Sequence, residues 1–383
     1  VQLETIHRGT GRMSVNIADT ILSKSKDGYH SDIAGKWGYV AGMALTALSR
    51  LSDWAQDTAY QEFVKRHIDL FISEDGFIGG EYALEDYNLD HINMGKNLLR
   101  LWRETGVGKY KKAAQLLAVQ LTGQPRTEEG GYWHKKIYPF QMWLDGLYMS
   151  SPFMAEYAAT FGEERWFDEA ARQLLLAERY TRNPETGLLH HAWDESREQR
   201  WCDAAIGRSR HVWGRAMGWY AMAVVDSLEH FPLNHPQRGQ VMGIFERMAQ
   251  AVWKVQDAGS GVWYQVMDCN AREGNYLEAS GSCMLTYALA KGIRLGYLSG
   301  LPQSAVERAY AGVLTQFVTM DGEGVHLHGI CHGAGLGGAK YRDGSYAYYL
   351  SEAVVSDVLM GIAPLLLAST EMERLWGKQG AKV

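Results

Sequence analysis

Two carboxylates, Asp90 and Asp145, each stand at the head of an apolar run with helical spacing. Asp145 lies between Trp143–Leu144 and Gly146–Leu147, inside the aromatic stretch GGYWHKKIYPFQMWLDGLYMSSPF that runs from Gly130 to Phe153. If buried there, a carboxylate is costly to keep ionised, and an acid held protonated can deliver a proton near neutral pH. Asp90, followed by His91 and Asn93, has the same placement. Each also has a plainer reading as a helix N-cap. Two carboxylates across one bowl are the minimum set for protonating one atom while orienting water or a sugar hydroxyl.

Other groups could join them. His134, in YWHKK, and His191, in LLHHAWDES, are each either solvated loop histidines or part of a sugar-binding edge. Arg215 and Trp219, in HVWGRAMGWY, are four apart and share a helix face. They form either an ion pair beside a core tryptophan or a guanidinium clamp for a carboxylate beside a stacking ring. Trp213 is expected at the rim of the bowl. Late in the chain His326, His328, Cys331 and His332 match no common zinc spacing, so this segment reads as a loop and no metal is expected. The run GAGLGG, Gly333 to Gly338, lacks a strand–helix frame and reads as backbone passing close to a ligand or an inner helix. No GxSxG is present.

The elements that must position these groups are helical. Trp37, Val40, Ala41, Ala44, Leu45, Leu48 and Leu51 follow the i, i+3, i+4, i+7 template, and the pattern recurs to the end of the chain. It predicts helices near 13–26, 37–51, 58–73, 90–104, 109–122, 145–161, 164–181, 211–230, 236–256, 278–298, 303–319 and 350–369, with Gly261–Met267 left for a strand. Every second helix opens with small residues and an aromatic or charged one: WGYVAGM, DHINMG, DGLYMSS, WGRAMGW, EASGSCM. These openings recur roughly every 50–70 residues, as in a helical-hairpin repeat. Small residues allow close approach of an inner ring, so the expected fold is an all-α (α/α)6 barrel of about twelve helices. An α-solenoid is the alternative. With no Pro/Ser-rich linker, residues 1–383 read as a single catalytic domain. Inner helices running alike would bring Asp90 and Asp145 to one face.

The 383 residues carry a net charge of −6 and a pI near 6.1, with no basic stripe, which argues against nucleic acid as a partner. Cys202, Cys269, Cys283 and Cys331 form no CxxC and no disulfide framework. No run reaches membrane-span length, and no cationic-plus-apolar segment opens the chain. The cytoplasm is the expected location, although a chain beginning at Val1 leaves a removed leader open.

The segments GGYWHK, YPFQMWLDGLYM, HAWDES, RAMGWY, GVWYQV and LEASGSCMLTYALAKGI, in this order from about Trp37 to Ser351, resemble glycoside hydrolase family 105. These are the unsaturated rhamnogalacturonyl hydrolases, kin of the unsaturated glucuronyl hydrolases. The resemblance implies the same (α/α)6 barrel and no cofactor. It implies a substrate whose non-reducing end is a 4,5-unsaturated uronate, with galacturonyl-rhamnose the expected case. Asp145 matches the catalytic acid and Asp90 the second pocket carboxylate. His191, Arg215 and Trp219 resemble substrate contacts, with Tyr39, His134, Trp143 and Trp213 beside them. The implied chemistry is acid-initiated hydration of an enol ether. The alternative on the same barrel is a sugar epimerase of the N-acylglucosamine 2-epimerase type, in which His191 and His328 would relay a proton and Asp145 would have no task.

Overall fold

Six stretches whose buried residues run almost all the way round the helix have no face left for water, so they can only form an interior ring. In the computed structural model, which describes residues 12–25, 33, 35–270 and 272–380, these are α2 (Tyr39–Ala55), α4 (Gly95–Thr105), α6 (Leu144–Phe161), α8 (Gly214–Leu228), α10 (Ala279–Leu295) and α13 (Leu359–Gly380). Each packs against the next, and α13 packs against α2, which closes the ring. The six partners are amphipathic and lie outside: α1 (Met13–Lys24), α3 (Thr58–Asp69), α5 (Gly108–Gly123), α7 (Arg165–Thr181), α9 (Arg238–Lys254) and α11 (Gln303–Phe317). α3 shows the type, burying Tyr60, Phe63, Val64 and Ile68 and leaving its charges outward. The fold is the expected (α/α)6 barrel. Because outer and inner helices alternate along the chain, the inner ones run alike and their N-termini share one mouth.

Small residues set the ring's closeness at that mouth. A Cβ on Gly281, in the first turn of α10, would meet the Gly214 carbonyl carbon at 2.8 Å, so α8 and α10 touch backbone to backbone where Arg215 emerges. Glu278 caps α10 by accepting from the Ser280 and Gly281 amides and also takes the Cys331 amide at 3.0 Å. Three short antiparallel pairs brace the connections: β1 (Gln141–Trp143) with β2 (Ala192–Asp194), β3 (Val318–Asp321) with β4 (Gly324–Leu327), and β5 (Ile330–Cys331) with β6 (Val354–Val355). In the first pair Met142 faces Trp193, which ties the Asp145 connection to the His191 connection. No helix among the described residues is long and apolar enough to cross a membrane.

Several expected boundaries move. Position 26, the expected end of the first helix, lies outside the described residues. The helix expected from 90 begins at Gly95, because Leu89–Ile92 form a 3-10 turn. Its geometry is fixed by the Asn88 side chain, which accepts from the Asp90 amide. The helix expected at 350–369 is Leu359–Gly380; before it come a short α12 (Tyr346–Ser351) and β6, drawn off by pairing with β5. Gly261–Met267 is not a strand: it makes only isolated bridges, Val266 to Trp213 and Tyr264 to Leu277.

Candidate active site

Asp145 is the second residue of α6 and does not cap it: the N-cap position is Trp143, and no side chain bonds the helix start. Its carboxylate is 16% exposed, and Oδ2 is buried without a hydrogen-bond partner. His191 Nε2 stands 3.2 Å from that oxygen, at an angle that makes no hydrogen bond. His191 is fully buried and therefore is not a solvated loop residue. Its Nδ1 meets the Tyr349 hydroxyl at 2.8 Å. An oxygen at the positive end of a helix, facing inward with a free lone pair, is placed to exchange a proton with a ligand.

Asp90 is not a cap either. Its carboxylate bonds Lys135 Nζ at 2.5 Å, with His134 Nε2 at 3.7 Å. Burial pushes the Asp90 pKa up, but Lys135 and then His134 outweigh it and hold the group below the usual carboxylate range. Asp90 is thus a fixed anion. His134 goes the other way, since burial drives its pKa down to about 4 against the pull of Asp90, and the ring is neutral. His134 and Tyr138 lie on Trp143 at 4.9 Å and 4.8 Å, and side by side with each other at 6.3 Å. Three rings thus form one flat wall.

Arg215, 1% exposed, makes no ion pair among the described residues; one terminal nitrogen donates to the Cys331 carbonyl at 2.5 Å. Nε and Nη1 are buried and unpartnered. A buried guanidinium with open donors costs free energy unless a ligand's anion completes it. Trp213 is not at the rim: it is 2% exposed, enclosed by His191 at 4.8 Å, Arg215 at 5.0 Å and Tyr349 at 6.3 Å. Trp219 is core-buried; it stacks on Tyr148 at 5.0 Å and takes the edge of Tyr39 at 6.2 Å. Tyr39 opens α2, and burial, followed by the charges of Asp90, Arg215 and Asp145, shapes its raised pKa. It stays a hydroxyl donor. All nine expected residues therefore gather at one mouth, Trp219 as the floor beneath it.

Asp194, just after His191, forms a polar corner: its carboxylate accepts from the Ser196, Glu198 and Gln199 amides. His326 pairs with Asp357 and Asp321, and exposed His328 bonds Thr319 and Ser356, so the late histidines serve a hairpin; His328 does not confront His191. The glycine run lies beside the ring wall of the mouth: its Leu336 shares an apolar cluster with Trp143 and Tyr138. It packs on Trp201 and Arg342, where Gly337, at φ +63, turns back to pair with Arg342. An outer groove of about 530 Å³, lined by Arg182, Glu246, Arg247 and Lys254, contains none of the candidate groups. Sequence reasoning missed Lys135 as the partner of Asp90, although it adjoins His134. It also missed Tyr349, which is 158 residues from His191 and leaves no local signal.

The model described as Glycosyl Hydrolase Family 88 matches residues 13–376. A solved glycoside hydrolase of family 105 from Clostridium acetobutylicum (C. acetobutylicum ATCC 824) is 46% identical with a TM-score of 0.90, covering 95% of this chain and 99% of that one. The "24.9 kDa protein in picA locus" of Rhizobium radiobacter is 41% identical over 237 residues, 58% of this chain and 97% of that one. The unsaturated rhamnogalacturonyl hydrolase YesR of Bacillus subtilis is 27% identical over 280 residues, 72% of this chain and 74% of that one.

Proposed function

The chain belongs to glycoside hydrolase family 105, within the reach of the Family 88 model, and from that premise we propose which bond it cleaves and how. The substrate is a short lyase-generated oligosaccharide with a 4,5-unsaturated galacturonate at its non-reducing end and rhamnose as the leaving sugar. The setting is cytoplasmic rhamnogalacturonan (pectin) breakdown by a single catalytic domain. One observation carries this reading. Asp145 and Arg215 both act on the Tyr39 hydroxyl, and Asp145 has a buried oxygen and Arg215 two buried donors without hydrogen bonds.

Arg215 takes the uronate carboxylate, which fixes the ring against Trp213. Protonated Asp145 gives its proton to C4 of the enol ether, and the ring oxygen stabilises the cation that develops at C5. Water adds at C5 and returns a proton to Asp145. The C5 hemiketal opens to a ketone, leaving a hemiacetal at C1 that expels the leaving sugar as an alcohol. One water is consumed, and the carboxyl group is regenerated. Anionic Asp90, held by Lys135, orients sugar hydroxyls, and Tyr39 and His134 bound the same space. General acid catalysis of this kind contributes about 10²–10⁴-fold.

A panel of unsaturated disaccharides, galacturonyl-rhamnose and glucuronyl types beside a saturated control, tests the reading through loss of double-bond absorbance. The unsaturated galacturonyl-rhamnose should be consumed fastest and the saturated control not at all. Absorbance that persists while the sugar isomerises would replace hydrolysis with the epimerase reading.

A further inference from the structure

Next to Trp213 two chain segments run side by side: Met267 N bonds the Val212 carbonyl at 2.9 Å, and Val212 N bonds Asp268 Oδ1 at 3.0 Å. That pairing brings together three side chains unused by the proposed chemistry. His211 Nδ1 lies 2.9 Å from Asp268 Oδ2 and 3.7 Å from Cys269 Sγ, and the three atoms fall within 4.8 Å of one another. The His211 and Asp268 side chains are each 19% exposed, so water and ions have access. Next to them, His190 is 7% exposed, neither ring nitrogen makes a well-formed hydrogen bond, and the charges of Asp268 and His211 act on it.

The arrangement does not suit a nucleophilic cysteine. Thiol and carboxylate both address the same nitrogen, Nδ1, so the imidazole cannot relay a proton between them. Convergence on one point is what a metal ion needs. Zinc bonds of about 2.0–2.3 Å at tetrahedral angles separate neighbouring ligand atoms by roughly 3.3–3.7 Å. The thiol already stands at that separation from His211 Nδ1 and within 4.8 Å of the carboxylate, and the His211–Asp268 contact must open by about half an ångström.

We propose that His211, Asp268 and Cys269 bind a zinc ion, with water in the fourth position. Binding replaces the Cys269 thiol proton, which leaves to solvent, with a zinc–sulfur bond. His211 coordinates through Nδ1 as its Nε2–H tautomer, and Asp268 stays ionised. The ion would tie the segment before Arg215 to the one before α10, a brace for the chamber wall and no part of the reaction.

The test uses the full chain, stripped with a chelator and titrated with Zn²⁺ and, as a spectroscopic probe, Co²⁺. One equivalent of Zn²⁺ is expected to bind and to raise Tm. Cys269→Ser and His211→Ala are each expected to weaken binding by about a hundredfold. Cobalt should give tetrahedral bands with a thiolate charge-transfer band that Cys269→Ser removes. In the unmodified chain Zn²⁺ should also slow alkylation of Cys269, since the other three cysteines are buried. Zinc affinity unchanged in Cys269→Ser, a cobalt spectrum without the thiolate band, or alkylation indifferent to zinc would each overturn the site. None of these readouts depends on glycoside turnover.

Discussion

The two ends of the inner ring both bury charge, and they treat it differently. At the end away from the mouth, Lys291 Nζ meets Asp226 at 2.7 Å and Glu229 at 2.6 Å, the Tyr287 hydroxyl adds a bond to Asp226 at 2.7 Å, and Arg294 grips Glu371. Arg50 comes in against Asp226 at 3.5 Å and Glu229 at 3.3 Å. Burial pushes Asp226 up, but Lys291 and Arg50 reverse it and hold it below the usual carboxylate range. At the mouth, Asp145 Oδ2, His191 Nε2 and two Arg215 nitrogens are buried with no hydrogen-bond partner. At the closed end every carboxylate has a permanent cation in reach: even Asp226 Oδ2, which makes no hydrogen bond, faces Arg50 at 3.5 Å. At the mouth, among the described residues, Arg215 has no carboxylate and Asp145 has only a histidine beside it, so the charges there are left to a ligand. Lys96 stands between the two ends, its Nζ over the Tyr148 ring at 3.6 Å and its pKa driven to about 7 by burial.

The sharpest way to break this contrast is to substitute one charge at each end. Asp145→Asn should keep Tm and the circular dichroism spectrum while turnover of the unsaturated disaccharide falls about 10²–10⁴-fold. Unchanged turnover would take Asp145 out of the chemistry. Lys291→Met should do the reverse, destabilising by about 3–5 kcal/mol because it strands buried Asp226, with kcat in the surviving folded protein near that of the parent. Chemical denaturation measures the first and active-site titration the second. A Lys291 variant as stable as the parent would erase the distinction.

Acidity separates the ends more finely. His134 is neutral when folded, with a pKa of about 4 against 6.5 unfolded. Between those values only the unfolded chain takes up the proton, so stability falls as pH drops from about 6.5 towards 4, by roughly 2–4 kcal/mol in total. His134→Gln should flatten that part of the denaturation profile, and a profile of unaltered slope would return the His134 pKa to its ordinary value. Asp90 and Asp226, both held low, keep their contribution above the unfolded carboxylate value and lose it only in stronger acid. The smallest expected effect is at Tyr349→Phe, which removes the hydroxyl on His191 Nδ1. One hydrogen bond of about 0.5–1.5 kcal/mol should lower kcat up to about tenfold with KM little changed.

Much of this was legible in the chain. The 3.6-residue period and the small residues opening every second helix predicted the barrel, since a helix buried on all sides has to be one of an inner set. Asp145 and Arg215 were visible for the same reason, each lying at an inner-helix start, and His191 was visible only as a histidine in an aromatic connection. The 3-10 turn at Asp90 was not visible, because it depends on the Asn88 side chain meeting one amide. The delayed last helix was hidden too: β5 and β6 pair across more than twenty residues of intervening chain, and no local pattern announces that.

The sequence by itself determined the helical ring and the candidate groups at inner-helix starts, because periodicity and helix-start chemistry are local. Only the tertiary structure decided which buried groups are satisfied. It gave Asp90 its lysine and Asp194 its three amides, and it drew His191 to Tyr349 across 158 residues. It left Arg215 Nε and Nη1 without a partner and set only His191 against Asp145 Oδ2, without a hydrogen bond. A partner is a matter of distance in space, and a buried charge is structural or chemical according to whether the fold brings one within reach.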